Sequence, residues 1–292
     1  MPELPEVETI RMQLEQVLKG LEIESVEIRK PKSFPDDKSL IVRSKVKGLR
    51  RFAKVIIIDL DNGLSLAIHL KLTGQLVYRG IRQPKNLNIV DEDLVNLPNN
   101  HTRVIINFTD GDSLYFNDLR VFGWMKIVKS FKDTKLQSFK EGKSVEDMIG
   151  KLGPEPFRDL TEEKFKKIVS KSNRPIKITL MDQEKIAGVG NIYANEALFL
   201  AGIDPRRKGK ELDDGSIVSL FHCLEKALKL GFKWQGSSEN NYRNAFGEKG
   251  HFQEHTLVYG ENGKDCPNKC GGKIKRISLG GRGTFFCPDC QS

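Results

Sequence analysis

Val55-Ile56-Ile57-Ile58-Asp59-Leu60-Asp61-Asn62-Gly63-Leu64-Ser65-Leu66-Ala67-Ile68-His69-Leu70 is the stretch on which the fold turns. It holds two β-rich runs around a turn carrying Asn-Gly. Asn and Gly tolerate the left-handed backbone that tight hairpin turns require, so the pattern predicts a β-hairpin. The same arrangement recurs at 104–108 and 113–116, around Asp110-Gly111. Several short antiparallel strands between residues 23 and 130 predict a β-sandwich. Residues 81–100 are polar and read as a surface loop.

Upstream, Leu4-Pro5-Glu6-Val7-Glu8 reads as a helix start. Pro suits the first turn, where its missing N–H is not needed, and Glu suits the positive helix end. Val7, Ile10, Leu14, Val17 and Leu18 continue at helical spacing. Downstream, the pattern changes near residue 145. Residues 162–171, 176–186, 192–201 and 213–232 read as helices. In the last, Ile217, Leu220, Phe221, Leu224 and Leu228 make one apolar face. Residues 233–251 are polar, contain Gly and Asn, and read as a mobile loop. The tail from 252 returns to short strands and cysteines.

The 292 residues suffice for two domains and a small third module. No run of about 18 apolar residues is present, which excludes a transmembrane helix. The acidic, proline-bearing amino-terminus is unlike a signal peptide, so a soluble cytoplasmic protein is expected. The net charge of +9 points to an acidic polymer as partner, nucleic acid first.

Pro2 and Glu3 carry a chemical possibility of their own. With Met1 removed, Pro2 becomes a secondary amine beside a carboxylate. An α-amino group has a pKa of about 8, so much more of it is free base near neutrality than of a lysine. Attack of such an amine on a sugar C1′ gives an iminium, cationic without added protons and an electron sink for later eliminations. The plainer reading of the same residues is a helix start alone.

Four of the five cysteines lie in the tail, as Cys266-x3-Cys270 and Cys287-x2-Cys290. Two close pairs separated by a short β-rich segment predict one tetrahedral four-thiolate Zn2+ site. Four protein ligands leave no open position, so the metal is structural. Lys273, Lys275, Arg276 and Arg282 between the pairs, with glycines at 280, 281 and 283, suit a hairpin that grips phosphate. Gly188-Val189-Gly190-Asn191 joins two helices and opens the second, a place where free N–H groups meet phosphates. A plain packing corner reads equally well there. Lys54 heads an apolar strand, where a lone lysine is usually an edge charge. Arg120-Val121-Phe122-Gly123-Trp124 fits a tip that wedges into a base stack or a hairpin with one core aromatic.

Taken together, these pieces resemble the formamidopyrimidine-DNA glycosylase family. The resemblance spans nearly the whole chain. It rests on residues 2–8, Arg50-Arg51-Phe52-Ala53-Lys54, His69-Leu70-Lys71-Leu72-Thr73-Gly74, Asp118-Leu119-Arg120-Val121-Phe122-Gly123 and Gly153-Pro154-Glu155-Pro156. It continues through Asp182-Gln183, residues 187–196, Gly281-Arg282-Gly283-Thr284 and Cys287-Pro288-Asp289-Cys290-Gln291. It implies an α+β multidomain fold. A catalytic β-sandwich with a leading helix spans 1–132 and a linker 133–150. A helix-two-turn-helix domain with a lesion-covering loop spans 151–251, and a β-hairpin zinc finger 252–292. A DNA cleft between these parts is also implied.

The implied activity is base excision from duplex DNA containing oxidised bases, with strand cleavage by β- and δ-elimination. Pro2 would be the nucleophile and Glu3 the general acid on deoxyribose. Glu6 would support the site and Lys54 would contact the backbone near the lesion. His101 would bind DNA, and Asn191 and Arg282 would hold the phosphates flanking the flipped nucleotide. Leu72, Arg120 and Phe122 would fill the void, with Arg120 facing the orphaned cytosine. The Arg120/Phe122 pair favours oxidised purines over oxidised pyrimidines. A soluble, nucleoid-associated bacterial-type monomer binding one Zn2+ is expected. Two departures stand out: Leu72 where the family usually has Met, and the x3 spacing of Cys266 and Cys270, whose extra residue must bulge.

Overall fold

The computed structural model describes residues 1–130, 143–239 and 241–292. It divides into two compact units. One comprises Met1–Gly150 with Gln235–His251, the other Lys151–Trp234 with Phe252–Ser292.

The first unit opens with helix α1 (Leu4–Leu18). Two four-stranded antiparallel sheets follow. One is ordered β1-β6-β7-β5, from Ile23–Ile28, Thr102–Phe108, Ser113–Asp118 and Gly74–Arg79. The other is ordered β2-β3-β4-β8, from Val46–Phe52, Val55–Leu60, Leu64–His69 and Trp124–Lys129. The expected hairpin is β3–β4, in register from Val55↔His69 to Asp59↔Ser65, with Gly63 at φ 81° closing its turn.

β3 reads as a nearly continuous apolar run because both its faces are covered. Ile56, Ile58 and Leu60 enter the main core with Val7, Ile10 and Leu14 of α1. Val55 and Ile57 meet a second cluster with Val128 and Val145. Val145 belongs to a short helix, α3 (Val145–Ile149), capped by Ser144. Within the loop 81–100 lies one helical turn, α2 (Glu92–Val95). Most of the expected linker 133–150 lies outside the described residues, and its described end is part of the first unit.

The segment expected to be a mobile loop, 233–251, has side chains packed in the first unit. Gln235–His251 falls in the first compact unit. Tyr242, Ala245 and Phe246 are in the sandwich core, and each buried large apolar side chain contributes roughly 1.5–3 kcal/mol. Polar composition hides this packing because backbone groups of the segment are bonded within the first unit: Tyr78 N–H donates to Ala245 O at 2.8 Å and Ala245 N–H to Gln13 Oε1 at 2.9 Å.

The second unit contains α4 (Glu162–Ser170), α5 (Ile176–Met181), α6 (Asn191–Leu200) and α7 (Asp214–Lys233). The five apolar positions expected on one face of α7 are all buried. α5 ends five residues before the expected 186. The Gln183 side chain takes over the chain direction there, donating to Met181 O (2.9 Å) and Val189 O (2.8 Å) and accepting from Gly188 N–H (3.0 Å). The tail forms the hairpin β9 (Lys275–Leu279) and β10 (Arg282–Phe286). Its two-residue turn, Gly280 and Gly281, has φ 59° and 71°, the left-handed pair that tight hairpins select. The finger falls in the same compact unit as the helices. Among the described residues, no helix is long and apolar enough to cross a membrane.

Candidate active site and nucleic-acid contacts

Pro2 and Glu3 lead into α1, and both are buried, Glu3 to 3% exposure. The Glu3 N–H donates to Glu6 Oε2 at 2.8 Å. Glu6 is itself 1% exposed, and its other oxygen accepts from Ser237 N–H at 2.9 Å. A carboxylate buried this deeply needs such donors to offset its lost hydration. Gly236 lies beside it at φ 84°, where a Cβ would come within 2.6 Å of Glu6 Cγ. Only glycine combines that backbone with that approach. The Tyr242 hydroxyl is enclosed nearby, and burial followed by the Glu6 charge holds its pKa well above the usual tyrosine value.

Lys54 follows Ala53, whose φ of 51° turns β2 into β3. It is 5% exposed, so the reading of an ordinary strand-edge charge does not hold. Burying an ammonium is costly. His69 records the local field. Its pKa is lowered to about 3, first by burial and then by Lys71 and Lys54. The neutral ring accepts the Lys71 N–H at Nδ1, 2.9 Å away.

Leu72 occupies the β4–β5 turn and Arg120 and Phe122 the β7–β8 turn. Asp118 ties the two turns together. It accepts the Thr73 hydroxyl, the Arg120 N–H at 3.2 Å and the Gly123 N–H at 2.7 Å. The Arg120 N–H also reaches Thr73 Oγ1 at 3.0 Å. Val121 sits between them at φ 55°, a left-handed conformation costly for a β-branched residue. Phe122 is 46% exposed, with the Arg120 guanidinium 4.9 Å above its ring. Phe122 is therefore a presented aromatic and not a core one. His101 precedes β6, and its carbonyl accepts the Asp118 N–H at 2.9 Å.

In the second unit, Asn191 opens α6 and its Nδ2 donates to Gly283 O at 3.1 Å. That bond sets Asn191 beside the residue following Arg282, whose side chain is exposed. Three anchors escaped the sequence reading. Lys177 is fully buried and donates to Gly283 O at 2.9 Å and Thr284 Oγ1 at 2.7 Å. Asn195 Oδ1 accepts the Phe285 N–H at 2.8 Å. Glu196 accepts the N–H groups of Leu257, Val258 and Tyr259 at 2.8, 3.0 and 2.9 Å. Burial pushes the Glu196 carboxyl up and those donors oppose it. A carboxylate within the apolar run Tyr193–Phe199 was a legible hint of such an anchor. A lysine between Ile176 and Ile178 was not, since an exposed lysine fits the same pattern.

Cys266, Cys270, Cys287 and Cys290 place their sulfurs within 4.8 Å of one another. The Cys266–Cys290 and Cys270–Cys287 separations are 3.5 and 3.6 Å. Tetrahedral Zn–S bonds of about 2.3 Å require sulfurs roughly 3.8 Å apart, so the set fits Zn2+. The extra residue of the x3 pair is absorbed locally. Lys269 adopts φ 55°, and its N–H returns to Cys266 O at 2.9 Å.

Three family models match the chain. They are the formamidopyrimidine-DNA glycosylase N-terminal domain over residues 1–125, the H2TH domain of the same enzymes over 152–242, and a zinc finger found in FPG and IleRS over 263–292. The chain is 37% identical over 297 residues to the formamidopyrimidine-DNA glycosylase of Pelotomaculum thermopropionicum, covering 100% of this chain and 99% of that one. It is 35% identical over 303 residues to the one of Herpetosiphon aurantiacus, covering 100% of both. A solved structure of the wild-type Lactococcus lactis Fpg (MutM) with an oxidized pyrimidine containing DNA is similar at a TM-score of 0.81 and 32% identity, covering 100% of both chains. The complex of Lactococcus lactis Fpg with an abasic site containing DNA has the same TM-score and identity, covering 99% of both.

Proposed function

This chain belongs to the formamidopyrimidine-DNA glycosylase family, and we propose that it excises oxidised purines from duplex DNA, 8-oxoguanine and formamidopyrimidines, through a covalent link from Pro2. It is a base-excision repair glycosylase with AP lyase chemistry and a structural zinc finger. One observation carries the proposal. Pro2 and Glu3 are buried at the head of α1, where one buried carboxylate, Glu6, accepts the Glu3 N–H at 2.8 Å and the Ser237 N–H of the covering segment at 2.9 Å. A capping box alone accounts for the bond to Glu3, but not for the burial of the carboxylate or for its second bond, to a segment more than two hundred residues away.

With Met1 removed, the Pro2 nitrogen attacks C1′ and the bond from C1′ to the damaged base breaks. Its electron pair leaves with the base. Glu3 donates a proton to the deoxyribose and opens the ring. The iminium then accepts the electrons released when a C2′ proton is abstracted, and the 3′ C–O bond breaks. A second elimination breaks the 5′ C–O bond and leaves a one-nucleotide gap. Lys54 binds the backbone beside the lesion. His101, Asn191 and Arg282 hold phosphate. Leu72, Arg120 and Phe122 enter the space vacated by the flipped nucleotide, with Arg120 at the orphaned cytosine. Leu72 is apolar and of similar size to the Met usual in the family, so the wedge is kept. The covering segment, residues 236–250, lies over the extruded base. The protein works as a soluble monomer on nucleoid DNA.

Borohydride trapping on duplexes carrying one defined lesion tests this reading. A covalent complex with 8-oxoguanine or formamidopyrimidine opposite cytosine is expected. Trapping on oxidised pyrimidines alone would move the substrate class, and no trapping on any lesion would leave only a DNA-binding protein.

A further inference from the structure

In most of the hydrogen bonds that fasten the covering segment within the first unit, at least one partner is a backbone group. Gln75 Nε2 donates to Asn241 O at 2.7 Å, and Asn88 N–H donates to Glu248 at 2.9 Å. Arg79 bridges Phe246 O at 3.0 Å and Leu94 O at 2.7 Å. Another contact joins two charged side chains. Arg243 is 7% exposed, and its guanidinium grips Asp91 with two nitrogens. Nε lies 2.6 Å from Oδ2 as an ion pair, and Nη2 donates to Oδ1 at 2.9 Å. Asp91 precedes α2 in the loop 81–100. It also lines a cavity of about 240 Å³ together with Thr73, His101, Leu119 and Asn241. The charged pair therefore joins the base of the segment, the loop and one wall of that cavity. The hydrogen bond from Nη2 fixes direction, and the close ion pair adds a charge interaction inside a largely buried contact.

We propose that Asp91 and Arg243 are positioning residues for base excision. They hold the segment in the place it needs before a base swings out, so that its ordering is not deferred to binding. The inference rests on the reading that residues 236–250 cover the extruded base. It separates two substrates. A damaged base needs the cover, whereas a pre-formed abasic site has no base to cover.

The test compares Asp91→Asn, Arg243→Met and the double variant in single-turnover excision of 8-oxoguanine and in cleavage at a pre-formed abasic site. Each single variant is expected to slow base excision about tenfold, an ordering cost of the kind preorganisation avoids. Abasic-site cleavage should stay within about twofold. The double variant should be no slower than the slower single, because the pair acts as a unit. Hydrogen exchange at 237–248 should rise in the single variants. Unchanged excision, or equal slowing on both substrates, overturns the proposal. A variant with Glu239→Gly and Asn241→Gly checks the underlying reading. If it excises 8-oxoguanine at full rate, the segment is not the cover and both ideas fall. If it is slow while the Asp91 and Arg243 variants are not, only the positioning role is lost.

Discussion

Glu6 and Ser237 stand 231 positions apart and are joined by a hydrogen bond of 2.9 Å. Because Glu6 also takes the Glu3 N–H, one buried carboxylate positions both the proposed nucleophile's neighbour and the start of the covering segment.

Glu6→Gln keeps the shape but offers one acceptor where two N–H groups require two. One donor then faces an amide NH2, at a cost of about 1–3 kcal/mol. Denaturant unfolding should show that loss, and borohydride trapping should weaken with it. Wild-type stability and trapping together would contradict the brace. Gly236→Ala should be worse than its size suggests, because its φ of 84° and the 2.6 Å approach to Glu6 Cγ both resist a Cβ.

Lys177→Met should separate stability from grip. It removes two charge-assisted bonds, to Gly283 O and Thr284 Oγ1, but also the burden of a buried ammonium. These offset, so unfolding should change by no more than about 2 kcal/mol. The hairpin carrying Arg282 loses its rear support. The salt dependence of DNA binding should therefore lose about one unit of log–log slope. An unchanged slope would show that Arg282 is placed without Lys177.

His69 predicts acid sensitivity of the first unit. Its folded pKa is about 3, below the unfolded value of about 6.5, so the unfolded chain binds more protons between those limits. The stability associated with the neutral ring is complete above pH 6.5 and is lost as pH falls toward 3. Unfolding midpoints measured against pH should slope less over this window in His69→Gln. Identical slopes in the two proteins would sink the assignment.

Zinc removal should release the β9–β10 hairpin while α6 and α7 persist. Chelation is expected to lower DNA affinity and abolish nicking, with one Zn2+ per chain found before treatment. Full nicking by metal-free protein is the contrary result. Cys270→Ser should behave similarly, since three thiolates and a hydroxyl hold Zn2+ less well.

The legible parts of this chain were those whose cause is local. The Asn-Gly turn marked β3–β4, helical spacing marked α1 and α7, and two cysteine pairs marked the metal site. The error at α5 has the same origin in reverse. The polar run Asp182-Gln183-Glu184-Lys185 before Ile186 fits an exposed helix turn equally well, while in the structure the Gln183 side chain folds back on Val189 O just past the end of the helix. Residues 233–251 looked mobile because their composition is polar, but Tyr242 and Phe246 are core residues of the first unit.

By itself the sequence determined the kinds of element, the four-sulfur site and the presence of Pro2 beside Glu3 at the head of a helix, since each follows from neighbours within a few residues. Tertiary structure alone decided that Lys54 and Lys177 are buried, that Glu196 anchors the finger and that Arg243 meets Asp91. Burial and ion pairing depend on groups tens to hundreds of positions away, and no local window of sequence contains both partners.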